Sequence, residues 1–383
     1  MSKQLRQSVQ EIEISGIRKF NTRVAGIPDM IKLTLGEPDF PTPMHVKQAA
    51  IEAINNDFTN YTPNAGTPEL LQAASAYFHD KYDLSYSTNE IIVTVGATEA
   101  INVALQTILE AGDEVLLPDP IYPGYEPLIH LMEAKAIKID TTETAFKLTA
   151  EQLRASITPK TKALILPYPS NPTGVTLTLE ELEQIAEVVR ETGIFVIADE
   201  IYSELTFFGT HTSIATMIRE QTIVINGLSK SHAMIGWRIG FLMAPEAITS
   251  QMIKVHQYSV TCASSISQKA AEEALVHGKD DAVQMRTEYN TRAGFVQDRL
   301  TKMGFSIIEP DGAFYFFAKL PDSVPQNSFD WAIELAEVAK VAVVPGSSFS
   351  EKGDRYFRLS FAASFSQLAE AMDRMHTFME KYA

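Results

Sequence analysis

Short apolar runs alternate with helical patterns through the middle of the chain. The runs are Ile91–Val95, Glu114–Leu117, Lys135–Ile139, Ala163–Leu166, Ile194–Ala198, Thr222–Ile225 and Ile239–Met243. Each has strand length and is rich in Val, Ile or Leu, which predicts seven strands. Between them, apolar residues recur at helical spacing. Thr178 and Glu181 form a capping-box pattern ahead of Leu182, Ile185, Val188 and Val189, and Gly193 follows as a stop. Another helix is expected between Val95 and Glu114, closed by Gly112. Strands joined by helical crossovers predict an α/β domain on a mostly parallel sheet, with its ligand at the carboxyl ends of the strands.

The rhythm changes after Asp280. A long helix is predicted to Met303. Strands at Phe305–Ile308 and Ala313–Ala318, a helix around Phe329–Ala339, strands at Val341–Val344 and Tyr356–Ser360 and a closing helix then follow. That is an α+β pattern. The expected division is a large domain over residues 46–280 and a small one built from residues 1–45 and 281–383, with the first stretch as an arm that joins the small domain or reaches a partner subunit.

Charge narrows the function. The 383 residues hold 32 Lys and Arg against 48 Asp and Glu, a net charge of −16. Nucleic acids and anionic membranes both need a basic face, so neither is an expected partner. Cys262 is the only cysteine. It leaves no internal disulfide or cysteine-based zinc site, no metal is expected, and a reducing, cytoplasmic compartment is the natural setting. The opening MSKQLRQSVQEIEIS has no apolar core of a signal peptide, and no run approaches the ~18 apolar residues of a membrane span.

The most informative chemistry lies between Gly227 and Gly240, in GLSKSHAMIGWRIG. Lys230 follows a strand end in a small-residue loop, where partial desolvation would free its amine as a nucleophile. Arg238, eight residues on, could offer a planar fork to a phosphate. A lone Ser-Lys pair is more often an ordinary surface feature, but its company argues otherwise. Asp199 ends the strand Ile194–Ala198 and could cap the next helix or face a ligand. Tyr168–Gly174, YPSNPTG, is a proline-rich turn that could hold the Asn171 amide over a ligand, with a cis peptide before Pro172. Gly96-Ala97-Thr98 joins a strand to a helix N-terminus, a geometry suited to an anion. Arg358 sits in an apolar strand pattern and must meet either a protein carboxylate or a ligand carboxylate. A glycine-rich dinucleotide fingerprint and a Walker A motif are both missing, which disfavours a nicotinamide dehydrogenase and nucleotide hydrolysis.

In order and spacing, from Leu35-Gly36-Glu37-Pro38-Asp39-Phe40 to Arg358, these segments resemble the fold-type-I, class I/II aminotransferases that use pyridoxal 5′-phosphate. The wording ISGIRKF, YTPNAG, PIYPGYEP, YPSNPTGV, DEIYSEL, NGLSKSHAM and VPGSSFS is similar to a bacterial subgroup acting on N-acetyl-LL-diaminopimelate or aromatic amino acids. The resemblance implies a ping-pong transfer of an amino group from an L-amino acid to a 2-oxo acid, with N-acetyl-LL-diaminopimelate and 2-oxoglutarate, in lysine biosynthesis, as the leading pair. An aromatic aminotransferase is the alternative and a C–S β-lyase a more distant one. The resemblance also implies roles. Lys230 would link to the cofactor and then carry the substrate Cα proton. Asp199 would pair with the pyridine nitrogen, and Tyr202 and Asn171 with the phenolic oxygen. Tyr122 would stack on the ring, where several relatives have Trp. Ala97, Thr98 and Arg238 would hold the phosphate, and Tyr61 would reach the phosphate of a neighbouring subunit, making a homodimer the active unit. Arg358, Gly36 and Asn171 would take the substrate α-carboxylate. Ile17, with Tyr122, could favour an aromatic or long aliphatic substrate side chain, or Ile17 could simply pack.

Two departures stand out. Gly227 replaces a phosphate-binding serine of many relatives, leaving Ser229 as the candidate substitute. Residues 256–265, where some aspartate-specific relatives place an arginine, contain no Lys or Arg. A small distal carboxylate there would lack a counterion. Arg18 or Arg23 of the arm could approach instead.

Overall fold

The computed structural model describes residues 5–382, so the first four residues of the arm lie outside it. All seven central runs form strands of one sheet: β1 (Ile91–Thr94), β2 (Glu114–Asp119), β3 (Lys135–Asp140), β4 (Thr161–Leu166), β5 (Phe195–Asp199), β6 (Thr222–Gly227) and β7 (Gly240–Met243). Their order is β1-β7-β6-β5-β4-β2-β3, and β7 alone runs against its neighbours. The carboxyl ends of the other six therefore share one edge.

The inner strands read as apolar runs because both faces are covered, whereas the edge strand β3 is mostly exposed or half-buried. Alternate side chains point to opposite faces. Val115, Leu117, Ala163, Ile165 and Ile197 pack with Ile101, Ala104 and Leu105 of helix α2 (Gly96–Ile108). Leu116, Leu164, Leu166 and Val196 pack with Leu182, Ile185 and Val189 of α3 (Leu179–Thr192). Each buried Val, Leu or Ile among them contributes about 1.5–3 kcal/mol. The capping box forms as expected, with Glu181 N–H donating to Thr178 Oγ1 at 3.2 Å and Thr178 N–H to Glu181 Oε2 at 2.7 Å; Gly193 ends α3.

Beyond α5 (Asp281–Lys302), β8 (Tyr315–Lys319), β9 (Val344–Pro345) and β10 (Tyr356–Ser360) form an antiparallel sheet in the order β9-β10-β8. Trp331, Tyr289, Phe314 and Phe357 lie in its core. The arm carries α1 (Gly16–Val24), and Ile31–Lys32 pairs in parallel with Val341–Ala342, which ties the N-terminal segment to this C-terminal part.

Three expectations are corrected here. Phe305–Ile308 is not a strand: it contributes a single bridge, Ser306 to Lys319, at the very end of β8. Pro310, just beyond, has no N–H with which to extend the ladder. Ala313, expected in a strand, turns with φ 58°, so β8 begins at Tyr315. Val341–Val344 divides between two partners, Ile31–Lys32 and β10. The peptide before Pro172 is cis, as is the one before Pro169. No described helix is long and apolar enough to cross a membrane.

Candidate active site

A cavity of about 1520 Å³ opens at the carboxyl edge of the large sheet, bounded on the far side by the arm and by β10. Of the residues singled out from the sequence, Ile17, Gly36, Ala97, Thr98, Tyr122, Asn171, Asp199, Tyr202, Ser229, Lys230, Arg238 and Arg358 all line it. Tyr61 does not. Its side chain is 88% exposed on the outside of the chain, so it plays no part in its own chain's cavity.

Lys230 sits on the single turn Leu228–Ser231 (α4) that follows β6. Its Nζ donates to the Gly36 carbonyl at 2.6 Å and lies 5.8 Å from the centre of the Tyr202 ring. Burial pulls its pKa down to about 8; Arg238 and Arg358 push the same way, while Glu37 and Asp199 oppose. A lysine so placed is an amine nucleophile near neutral pH.

Asp199 closes β5 and is buried. Burial raises its pKa, opposed by the Tyr125 hydroxyl, which donates to Oδ2 at 2.6 Å, and by the Ile201 N–H at 3.3 Å from Oδ1. Tyr202 is also buried, its hydroxyl 2.8 Å from that of Tyr315.

The N-terminus of α2 presents Ala97 and Thr98, whose N–H groups belong to a first helical turn without intrahelical acceptors. Arg238 lies over this turn. A side chain on Gly96 (φ 78°) would collide with its guanidinium, so the close approach depends on glycine. Ser229 is buried beside Lys230. Tyr122 stands edge-on to Tyr125, with ring centres 5.5 Å apart.

Arg358 projects from β10. Nη1 donates to Asn171 Oδ1 at 2.9 Å and Nη2 to the Thr34 carbonyl at 2.7 Å, while the buried Nε has no partner. No carboxylate pairs with it among the described residues. The rings of Tyr315 and Phe349 flank its guanidinium, 4.5 and 4.9 Å from its carbon to their centres. Of the two readings left open by the sequence, pairing with a protein carboxylate is not seen among the described residues.

Tyr125 and Tyr315 escaped the sequence reading. Tyr125 stands three residues past Tyr122, at the start of a helix. Tyr315 lies inside an apolar run and reads as core. The available signal was the hydroxyl itself, since a buried tyrosine needs a polar partner.

The family described as "Aminotransferase class I and II" matches residues 28–375. A probable N-acetyl-LL-diaminopimelate aminotransferase of Bacillus subtilis is 56% identical, over 98% of this chain and 96% of its own. Aromatic-amino-acid aminotransferase 2 of Thermococcus litoralis is 39% identical, over 98% of each chain. The structure of Thermus thermophilus aspartate aminotransferase with maleate superposes with a TM-score of 0.93 at 35% identity, covering 98% of this chain and all of that one. The chain belongs to the class I and II aminotransferases. It is an enzyme, and its cofactor is pyridoxal 5′-phosphate.

The cavity fits that group on its own chemistry. A buried carboxylate with no cation bonded to it suits a protonated ring nitrogen, and an amine with a depressed pKa suits an aldehyde. A helix N-terminus beside an arginine suits a phosphate.

Proposed function

We propose that the chain exchanges an amino group between N-acetyl-LL-diaminopimelate and 2-oxoglutarate, as a cytoplasmic homodimer serving lysine biosynthesis. Residues 46–280 act as the cofactor-binding domain, and residues 1–45 with 281–383 as the smaller domain.

The observation that carries this reading is the far wall of the cavity. Of the arm cations named from the sequence, Arg23 pairs with Glu337 at 3.2 Å. Its neighbour Lys19 pairs with Glu13 at 2.6 Å. Arg18 lines the cavity and has no carboxylate partner among the described residues. N-acetyl-LL-diaminopimelate and 2-oxoglutarate share a carboxylate remote from the reacting carbon. Arg18 supplies its counterion, and a cavity of about 1520 Å³ leaves room for the longer substrate. Identity to the Bacillus subtilis relative supports the same choice.

When bound, pyridoxal 5′-phosphate supplies an electron sink for the pair released as the substrate Cα–H bond breaks. Lys230 would anchor the group at rest and, once its amine is free again, would take the Cα proton on Nζ and return it. Asp199 would stay ionised against the ring nitrogen. Tyr202 and Asn171 would donate to the phenolic oxygen, and Tyr122 would cover a ring face. Ala97 and Thr98 N–H groups, Ser229 and Arg238 would hold the phosphate, joined by Tyr61 of the partner subunit. Arg358, Asn171 and the Gly36 backbone orient the substrate α-carboxylate, and Ile17 borders its side chain.

A half-reaction panel tests the substrate. Holoenzyme is mixed with glutamate, aspartate, phenylalanine, tyrosine or N-acetyl-LL-diaminopimelate while its visible band is followed. Loss of the band with glutamate and the acetylated diamino acid alone is expected. Rapid loss with phenylalanine and tyrosine would instead make it an aromatic aminotransferase.

A further inference from the structure

Tyr315 opens β8 and is fully buried. Arg358 pairs in register with Phe317, and Tyr315 lies two residues from Phe317 on the same face, which sets the Tyr315 ring beneath the guanidinium at 4.5 Å. At its other end the hydroxyl meets Tyr202 at 2.8 Å. Among the described residues each of these two hydroxyls has no other hydrogen-bond partner. The loop above is shaped around this hydroxyl. A Cβ on Gly36 would stand 2.9 Å from it, and it is the Gly36 carbonyl that accepts from Lys230.

A phenolic hydroxyl has one proton to give. If Tyr202 gives its proton to the cofactor's phenolic oxygen, the bond between the two tyrosines can run only one way, from Tyr315 to Tyr202. We propose that Tyr315 is a positioning residue for the transfer reaction: its hydroxyl donates to Tyr202 and strengthens Tyr202 as a donor, while its ring seats Arg358. The proposal rests on the role assigned to Tyr202 above.

Donors in series polarise one another. The phenolic oxygen carries more negative charge when the Lys230 nitrogen linked to the cofactor is unprotonated, so a strong donor to that oxygen favours the unprotonated form. Weakening the donor must raise the pH midpoint at which the visible band of the resting holoenzyme changes. A core tyrosine valued only for its ring would leave that midpoint untouched when replaced by phenylalanine.

The test titrates the visible band in wild type, Tyr202→Phe, Tyr315→Phe and the double variant. Tyr202→Phe is expected to raise the midpoint. Tyr315→Phe is expected to raise it by about half a pH unit, a roughly threefold change in the protonation equilibrium. The double variant should match Tyr202→Phe, because the second hydroxyl acts only through the first. The KM for amino donors should hold in Tyr315→Phe, which keeps the ring, and rise in Tyr315→Leu, which does not. A Tyr315→Phe titration that overlays wild type while Tyr202→Phe shifts would overturn the proposal and leave the Tyr202 assignment standing. Additive shifts would also overturn it, since Tyr315 would then act independently of Tyr202. An unshifted Tyr202→Phe would remove the Tyr202 assignment and the proposal together.

Discussion

The hydroxyl of Tyr125 lies 2.6 Å from Oδ2 of Asp199, at the floor of the cavity. Asp199 has been drawn out of water, and burial pushes its pKa upward. The role proposed for it requires the opposite, a carboxylate that stays ionised. Tyr125 and the Ile201 N–H are the groups that hold the charge in place before any ring nitrogen arrives. Tyr125→Phe keeps the ring and removes the donor. The kcat should fall on the order of tenfold, as for loss of a hydrogen bond to a charged group, and the cofactor should bind more weakly. Steady-state kinetics with a cofactor titration reads both. An unchanged kcat would reduce Tyr125 to packing.

Lys230 gives a pH prediction whose sign can be worked out. Its folded pKa of about 8 lies below the ordinary lysine value of 10.5. Between those values the unfolded chain binds more protons than the folded one, so the cofactor-free protein gains stability from this group as pH rises through the window. Below about pH 8 that contribution is lost. Cofactor-free Lys230→Met lacks it. The stability difference between the two proteins in urea, measured from pH 7 to 10.5, should move in favour of wild type as pH rises. In the holoenzyme, borohydride reduction and peptide mapping should place the cofactor on Lys230. Lys230→Ala should lose at least about 10⁴-fold in turnover.

Arg18 carries the specificity prediction. If it pairs with a distal carboxylate, Arg18→Gln should lower kcat/KM for glutamate by roughly tenfold or more and leave alanine nearly unchanged. Equal losses for both donors would mean that the arm serves closure or folding, and the counterion would have to be sought elsewhere.

Much of this was legible before the fold was known, for identifiable reasons. Six of the seven strands of the large sheet are largely buried and so stand out as apolar runs, while the edge strand β3 is mostly exposed or half-buried and shows only through Ala136, Ile137 and Ile139. The Thr178–Glu181 box and Gly193 mark α3 because their side chains and backbone do local work. Lys230, Asp199 and Arg358 were found because a charge in an apolar or small-residue setting needs a reason. What escaped depends on distant parts of the chain. The bridge at Ser306 depends on where β8 ends, and the division of 341–344 depends on Ile31–Lys32, some 310 residues away. Tyr315 looked like core because its ring is core; only the arrival of Tyr202, 113 residues distant, gives its hydroxyl a role.

Arg358 offers the last prediction. Its guanidinium is fixed by Asn171, the Thr34 carbonyl and two aromatic rings, and none of these neutralises its charge. An unpaired buried cation is costly to keep, and burial lowers its pKa. The role proposed for Arg358 accounts for this cost, because every amino acid and 2-oxo acid brings a carboxylate next to the reacting carbon. Arg358→Ala should therefore lower kcat/KM for all donors and acceptors alike, by about 10²-fold or more, chiefly through KM. Arg358→Lys should recover little, because an ammonium cannot present the planar fork or stack between Tyr315 and Phe349. Arg358→Ala should also be no less stable than wild type without substrate, since it removes a buried charge. Loss confined to donors with a second carboxylate would move Arg358 to the far end of the substrate, and would oblige Arg18 to give up that place.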